Sequence, residues 1–104
     1  MENFEKTEYL NQLFSYYGSL LTEKQQKYFT DYYHLDLSLF EIAENYNVSR
    51  NAIHDQLKQA ETHLLNFEEK LGLVKLANKR RELLDKIEET KDLKYIDELR
   101  KLDE

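Results

Sequence analysis

Residues 38–53, Ser38-Leu39-Phe40-Glu41-Ile42-Ala43-Glu44-Asn45-Tyr46-Asn47-Val48-Ser49-Arg50-Asn51-Ala52-Ile53, carry two helix-start signals eleven residues apart, at Ser38 and Ser49. A serine hydroxyl accepts a hydrogen bond from one of the otherwise unpaired amides of a first helical turn. Ser38 followed three residues later by Glu41 is a capping box. It opens a short helix, Leu39 to Tyr46, that turns Ile42, Ala43 and Tyr46 inward. Ala43 is small where two helices must cross closely. Asn47 stands where the turn needs a residue tolerant of positive φ, and Val48 is expected to plug the turn into the core. Ser49 then caps a second helix. The unit reads as a helix-turn-helix over residues 38–62.

Downstream, Ile53, Leu57, Ala60, Leu64, Phe67 and Leu71 recur at three- and four-residue steps and predict one long helix from Arg50 to about Leu71. Gly72 closes it or allows a bend. Upstream, Phe4, Leu10, Leu13, Phe14 and Tyr17 predict a first helix from about Asn3 to Tyr17, with Gly18 as a left-handed C-terminal cap. Thr22-Glu23-Lys24-Gln25 is a second capping box. The helix it opens carries Tyr28, Phe29, Tyr32 and Tyr33, and His34 to Leu37 is a short link. From Leu73 a fifth helix holds Val74, Leu76, Ala77, Leu83, Leu84 and Ile87. A short sixth follows Lys91-Asp92, with Leu93, Ile96, Leu99 and Leu102 on one side. The expected fold is all-α, five or six helices. A helix-turn-helix domain occupies residues 1–72. A C-terminal helical extension, residues 73–104, packs on that domain or at a dimer interface.

Composition agrees. The 104 residues include no proline and two glycines, which starves β-turns of their usual residues. The absence of cysteine excludes disulfides, thiolate catalysis and cysteine-based zinc sites. No segment approaches the roughly 20 apolar residues of a bilayer span. The N-terminus, Met1-Glu2-Asn3-Phe4-Glu5, is acidic and lacks the apolar run of a signal peptide. A cytoplasmic protein is expected. The net charge of −6 is uneven: residues 1–72 hold six basic and twelve acidic side chains, and residues 73–104 hold nine of each. Nucleic acid would therefore be met through a local patch, against the overall field.

Glu41 through Ile53, with Leu57 and Ala60, resembles region 4 of bacterial sigma factors. The longer stretch from Tyr16-Tyr17 through Leu20-Leu21-Thr22-Glu23-Lys24-Gln25-Gln26 to Glu68-Glu69-Lys70-Leu71 is similar to the YlxM-type helix-turn-helix proteins. These belong to Gram-positive bacteria and are described as associated with the signal recognition particle. The similarity covers most of the chain up to about Ile87. Its specific parts are the Leu-Thr-Glu-Lys-Gln opening, the Tyr28-Phe29 and Tyr32-Tyr33 pairs, and the Val48-Ser49-Arg50-Asn51-Ala52 turn. The resemblance implies that pathway and a regulatory role. The partners it implies are DNA or the signal recognition RNA, and components of the particle.

In a recognition helix the residues near the N-terminus reach base edges or phosphates. Here these are Ser49, Arg50, Asn51, His54 and Lys58. Arg50 suits phosphate or guanine, and Asn51 suits adenine. Asp55 and Glu61 interrupt the face with negative charge. Lys75, Lys79, Arg80 and Arg81 are the densest basic cluster and a candidate phosphate patch, against a solvated face balanced by Glu82, Asp85 and Glu88. The four aromatics at 28, 29, 32 and 33 could stack on RNA bases, but their helical spacing favours core packing. His34, His54 and His63 lack metal-site spacing and no glycine-rich phosphate loop exists, so neither an enzyme, a metal nor a cofactor is expected. The apolar side of the last helices suggests a homodimer, the form in which helix-turn-helix proteins match two half-sites. The competing reading is a helical adaptor that keeps the motif as a scaffold and binds protein.

Overall fold

A computed structural model describes residues 4–104. Among them are six α-helices and no strand: α1 (Phe4–Tyr17), α2 (Glu23–Phe29), α3 (Leu39–Tyr46), α4 (Arg50–Leu71), α5 (Leu73–Thr90) and α6 (Lys94–Lys101). The expected start of α1 at Asn3 lies outside the described residues. The chain divides into two compact units, one ending at Lys70 and the other Leu71–Glu104.

The helix starts of the first unit are hydrogen-bonded as their sequences require. The Gln25 amide donates to Thr22 Oγ1 at 3.1 Å and the Thr22 amide to Gln25 Oε1 at 3.4 Å. The same reciprocal pair joins Ser38 and Glu41, both bonds 3.0 Å long. The Ala52 amide donates to Ser49 Oγ at 3.0 Å. Each such cap is worth about 1 kcal/mol. At the C-terminus of α3, Asn47 is left-handed, φ 55° and ψ 47°. The Val48 amide reaches back to the Ala43 carbonyl at 3.1 Å and the Asn47 amide to that of Glu44 at 3.3 Å. This six-to-one and five-to-two pair is a Schellman motif, and it ends α3 before α4 begins.

Inside the motif, Ile42 and Ala43 of α3, Ile53 and Leu57 of α4, and Tyr28 of α2 form one buried cluster, with Tyr32, Leu37 and Leu39 packed on it. Burying each large member contributes roughly 1.5–3 kcal/mol before chain entropy is counted. Leu10, Leu13 and Tyr17 of α1, Phe29 of α2 and Leu64 of α4 are also buried. Phe14 stacks on Phe29 at 4.4 Å between ring centroids, and Tyr17 donates to Glu68 Oε1 at 2.6 Å.

Several expectations fail here. Val48 does not plug the core: it is 38% exposed, because the Schellman turn uses its amide and leaves its side chain outside. Phe4 (77% exposed) and Leu71 (55%) lie at helix ends outside the buried stripes. Tyr46 is only partly inward. One ring edge meets Tyr28, 4.9 Å between centroids, while its hydroxyl donates to Asp31 Oδ2 at 3.0 Å. Gly18 is not a left-handed cap; the only described glycine with positive φ is Gly72. Gly18 instead opens a 3-10 turn, Gly18–Leu20, and is needed for space: a Cβ there would sit 3.0 Å from the Phe14 ring. The link after α2 is also shorter than expected. A π-helical turn carries the chain through Thr30–His34, and Asp36 adopts φ 55° before α3 opens.

In the second unit α5 packs against α6. Lys91, at φ 61°, closes α5 through its amide bond to the Ile87 carbonyl. Asp92 Oδ1 accepts from the Lys94 amide at 3.0 Å. The ammonium groups of Lys86 and Lys94 lie 5.8 and 5.2 Å from the Tyr95 ring centroid.

Candidate nucleic-acid interface

The face of α4 follows from helical geometry. At about 100° per residue, Arg50, His54, Lys58 and Asn51 share an arc of roughly 100°. The neighbouring arc, centred roughly 100° away, holds Ile53, Leu57, Ala60 and Leu64, all buried. Ser49, Arg50, Asn51, His54 and Lys58 are all exposed. The Schellman turn and the Ser49 cap fix where α4 begins, and so where this face points. The five expected residues therefore come together at the start of one helix.

The two acidic residues on this face behave differently. Asp55 stays exposed, its Oδ1 3.8 Å from His54 Nδ1. Glu61 is held from two sides. Lys6 Nζ lies 3.6 Å from its Oε1, and the Tyr33 hydroxyl donates to its Oε2 at 3.0 Å. Its side chain is only 17% exposed. The Lys6 ammonium offsets part of the carboxylate's field and the Tyr33 phenol takes up one of its acceptor oxygens, and Coulomb terms between exposed charges fade within about 10 Å. Of the two negative charges that interrupt the face in sequence, that of Glu61 is paired in space and that of Asp55 remains exposed. Sequence reasoning missed Lys6 and Tyr33, because nothing local links residue 6 to residue 61.

At the start of α3, the Ser38 amide first and its hydroxyl second hold the Glu41 carboxyl below its ordinary value. At the end of α3, partial burial first and the Asp31 carboxylate second push the Tyr46 phenol up.

The basic cluster of α5 does not form one patch. Lys75 and Lys79, roughly 40° apart, share a face, whereas Arg80 lies about 100° beyond Lys79 and Arg81 about 200°. Arg80 Nη2 turns to Asp103 Oδ1 at 3.4 Å. The four lie within seven residues of one another but point in three directions. Among the described residues no group of His, Cys, Asp and Glu could hold a metal ion, and no helix is long and apolar enough to cross a membrane.

A family model described as "UPF0122: Putative helix-turn-helix protein, YlxM / p13 like" matches residues 4–102. The chain belongs to the UPF0122 family. A UPF0122 protein of Desulforamulus reducens is 61% identical over 74 residues, 71% of this chain and 61% of that protein. One of Halalkalibacterium halodurans is 49% identical over 88 residues, 85% of this chain and 81% of that protein. The UPF0122 protein YlxM of Bacillus subtilis is 48% identical over 87 residues, 84% of this chain and 79% of the relative. The UPF0122 match runs through both compact units, and α3 with α4 is the helix-turn-helix that this chain forms within it.

Proposed function

We propose that this UPF0122 protein is a non-enzymatic regulatory module whose fourth helix contacts nucleic acid, and that it acts in the cytoplasm in the signal recognition particle pathway. One observation carries the contact. The capped turn sets Arg50, Asn51, His54 and Lys58 on a single exposed face, and the Glu61 carboxylate there is already engaged by Lys6 and Tyr33. In this reading Arg50 and Lys58 meet phosphates and Asn51 reads a base edge, and Lys75 and Lys79, which share a face of α5, are a separate candidate phosphate contact. The YlxM resemblance supports the pathway, with DNA or the signal recognition RNA as target. The C-terminal helices pair two copies into a homodimer, which light scattering on the intact chain tests.

Fluorescence anisotropy with labelled duplex DNA and labelled signal recognition RNA tests the contact. Each phosphate contact contributes about −0.7 to −0.9 to the slope of log affinity against log salt. The double variant Arg50→Ala/Lys58→Ala is expected to weaken binding and to flatten that slope by about 1.4–1.8. Unchanged affinity and slope for both polymers would remove nucleic acid from this face. A second reading, a helical adaptor that binds protein, draws on the net charge of −6 and on the exposed Leu35 and Phe40 of the same unit. It predicts protein partners in a native-lysate pull-down that survive nuclease treatment and the double variant alike.

A further inference from the structure

Beside the α4 face lies a cleft of about 210 Å³. It is lined by Tyr32, Tyr33 and Leu39, by His54 and Lys58, and by the Glu61–Lys6 pair. Of the four aromatics at 28, 29, 32 and 33, three are buried and Tyr32 alone is half-buried. The π-helical turn Thr30–His34 carries both cleft tyrosines, and π-helical turns are frequent at functional sites.

We propose that this cleft takes one unstacked nucleobase of an unpaired strand, with the flanking phosphate on Lys58 and His54. The inference rests on the nucleic-acid reading above and names the kind of nucleic acid: unpaired rather than duplex. Three features select this occupant. The space suits one planar ring system. Tyr32 supplies an aromatic surface, the element on which splayed bases stack. Glu61 supplies acceptors. Each carboxylate oxygen has two lone pairs, and Lys6 and Tyr33 approach one oxygen each, which leaves capacity for an amino group on the base. Cytosine offers such a donor at the position where uracil has a carbonyl. Lys58 supplies a cation beside that ring for the flanking phosphate.

The test uses the intact chain and three labelled probes: a ten-nucleotide oligocytidine RNA, its oligouridine counterpart, and a duplex DNA. The expected result is at least tenfold preference for oligocytidine over the duplex, and about fivefold over oligouridine, the lower end of one base-edge pairing. Tyr32→Ala is expected to weaken oligocytidine binding about tenfold, the range of one lost base–aromatic stack, and to leave duplex binding unchanged. Tyr32→Phe keeps the ring and is expected to retain binding, so a loss in Tyr32→Ala together with retention in Tyr32→Phe supports stacking. Glu61→Leu is expected to abolish the preference for cytidine over uridine. If Tyr32→Ala and Glu61→Leu, both folded by circular dichroism, bind the three probes as the wild type does, the cleft proposal fails while the α4 reading stands. If no probe binds the wild type, both fail.

Discussion

Replacing Asn47 tests the turn on which the interface depends. Its φ of 55° and ψ of 47° lie in the left-handed region, where a residue with a Cβ pays roughly 1–2 kcal/mol and asparagine pays less. Asn47→Ala is therefore expected to destabilise the protein by about 1 kcal/mol, and the β-branched Asn47→Val by more. Asn47→Gly removes the Cβ strain but loosens the unfolded chain by about 0.4–1 kcal/mol, so it is expected to be near neutral. For a chain of this size 1 kcal/mol lowers the midpoint by roughly 4–8 °C, well within reach of thermal unfolding followed by circular dichroism. The alternative geometry gives opposite signs. Were residues 39–71 one continuous helix, alanine at position 47 would stabilise by roughly half a kcal/mol and glycine would destabilise by a similar amount. The order Ala above Asn above Gly would refute the left-handed turn, and with it the placing of Arg50 and its neighbours.

Three further outcomes follow from the geometry. Gly18→Ala is expected to cost about 1 kcal/mol in urea unfolding, because the added methyl meets the Phe14 ring at 3.0 Å and that ring is stacked on Phe29; Phe14→Leu in the same background is expected to recover part of the loss. The Glu41 carboxyl titrates below its ordinary 4.5, so its contribution is present above that pH and fades as pH falls through the folded value; an NMR titration is expected to show Ser38→Ala returning it to the ordinary range, and an unshifted wild-type Glu41 would contradict the capping box. The Tyr46 phenol titrates above its ordinary 10.0, so its contribution is present below that pH and is lost as pH rises through the folded value; an NMR titration of its ring is expected to show Asp31→Asn moving it back toward the ordinary range.

What could be read from the sequence was what a few neighbouring residues decide by themselves. Thr22, Ser38 and Ser49 each bond an amide three residues away, and Asn47 closes a turn through carbonyls of the helix just finished. The buried stripe of α4 is a periodicity, and it ran true from Ile53 to Leu64. Errors fall where a side chain's surroundings come from elsewhere. Val48 is apolar and follows the turn, yet whether it is covered depends on what packs over the turn. Gly18 looks like a cap because glycine after a helix commonly is one; that it makes room for an aromatic ring is visible only once Phe14 and Phe29 are stacked. Candidate residues show the same division. The five on α4 share a face because one helix carries them, whereas the capture of Glu61 by Lys6 joins positions far apart in the chain. Sequence adjacency also misleads in α5, where Arg80 bonds Asp103 rather than joining Lys79.

The charge balance constrains how such a face could work. With Arg50, Lys58 and His54 as its phosphate ligands, α4 would neutralise two or three charges, and the salt slope would be about −1.4 to −2.7. Proteins that rely on the phosphate term make six to ten such contacts. A net charge of −6 further disfavours approach to any polyanion at low salt. Sequence-independent attraction is therefore weak in this molecule, and useful affinity has to come from short-range contacts: a base edge on Asn51, a stacked ring on Tyr32, an amino group on Glu61. Weak non-specific binding has a benefit in a cell full of nucleic acid, since discrimination is a difference between affinities. The same reasoning identifies the informative charge reversal. Asp55 is the exposed carboxylate left on this face, so Asp55→Lys is expected to raise affinity for every polyanion and to steepen the salt slope by about 1, while the ratio between preferred and random sequence falls. A variant that gained affinity and kept that ratio would show that the acidic surroundings of α4 play no part in selectivity.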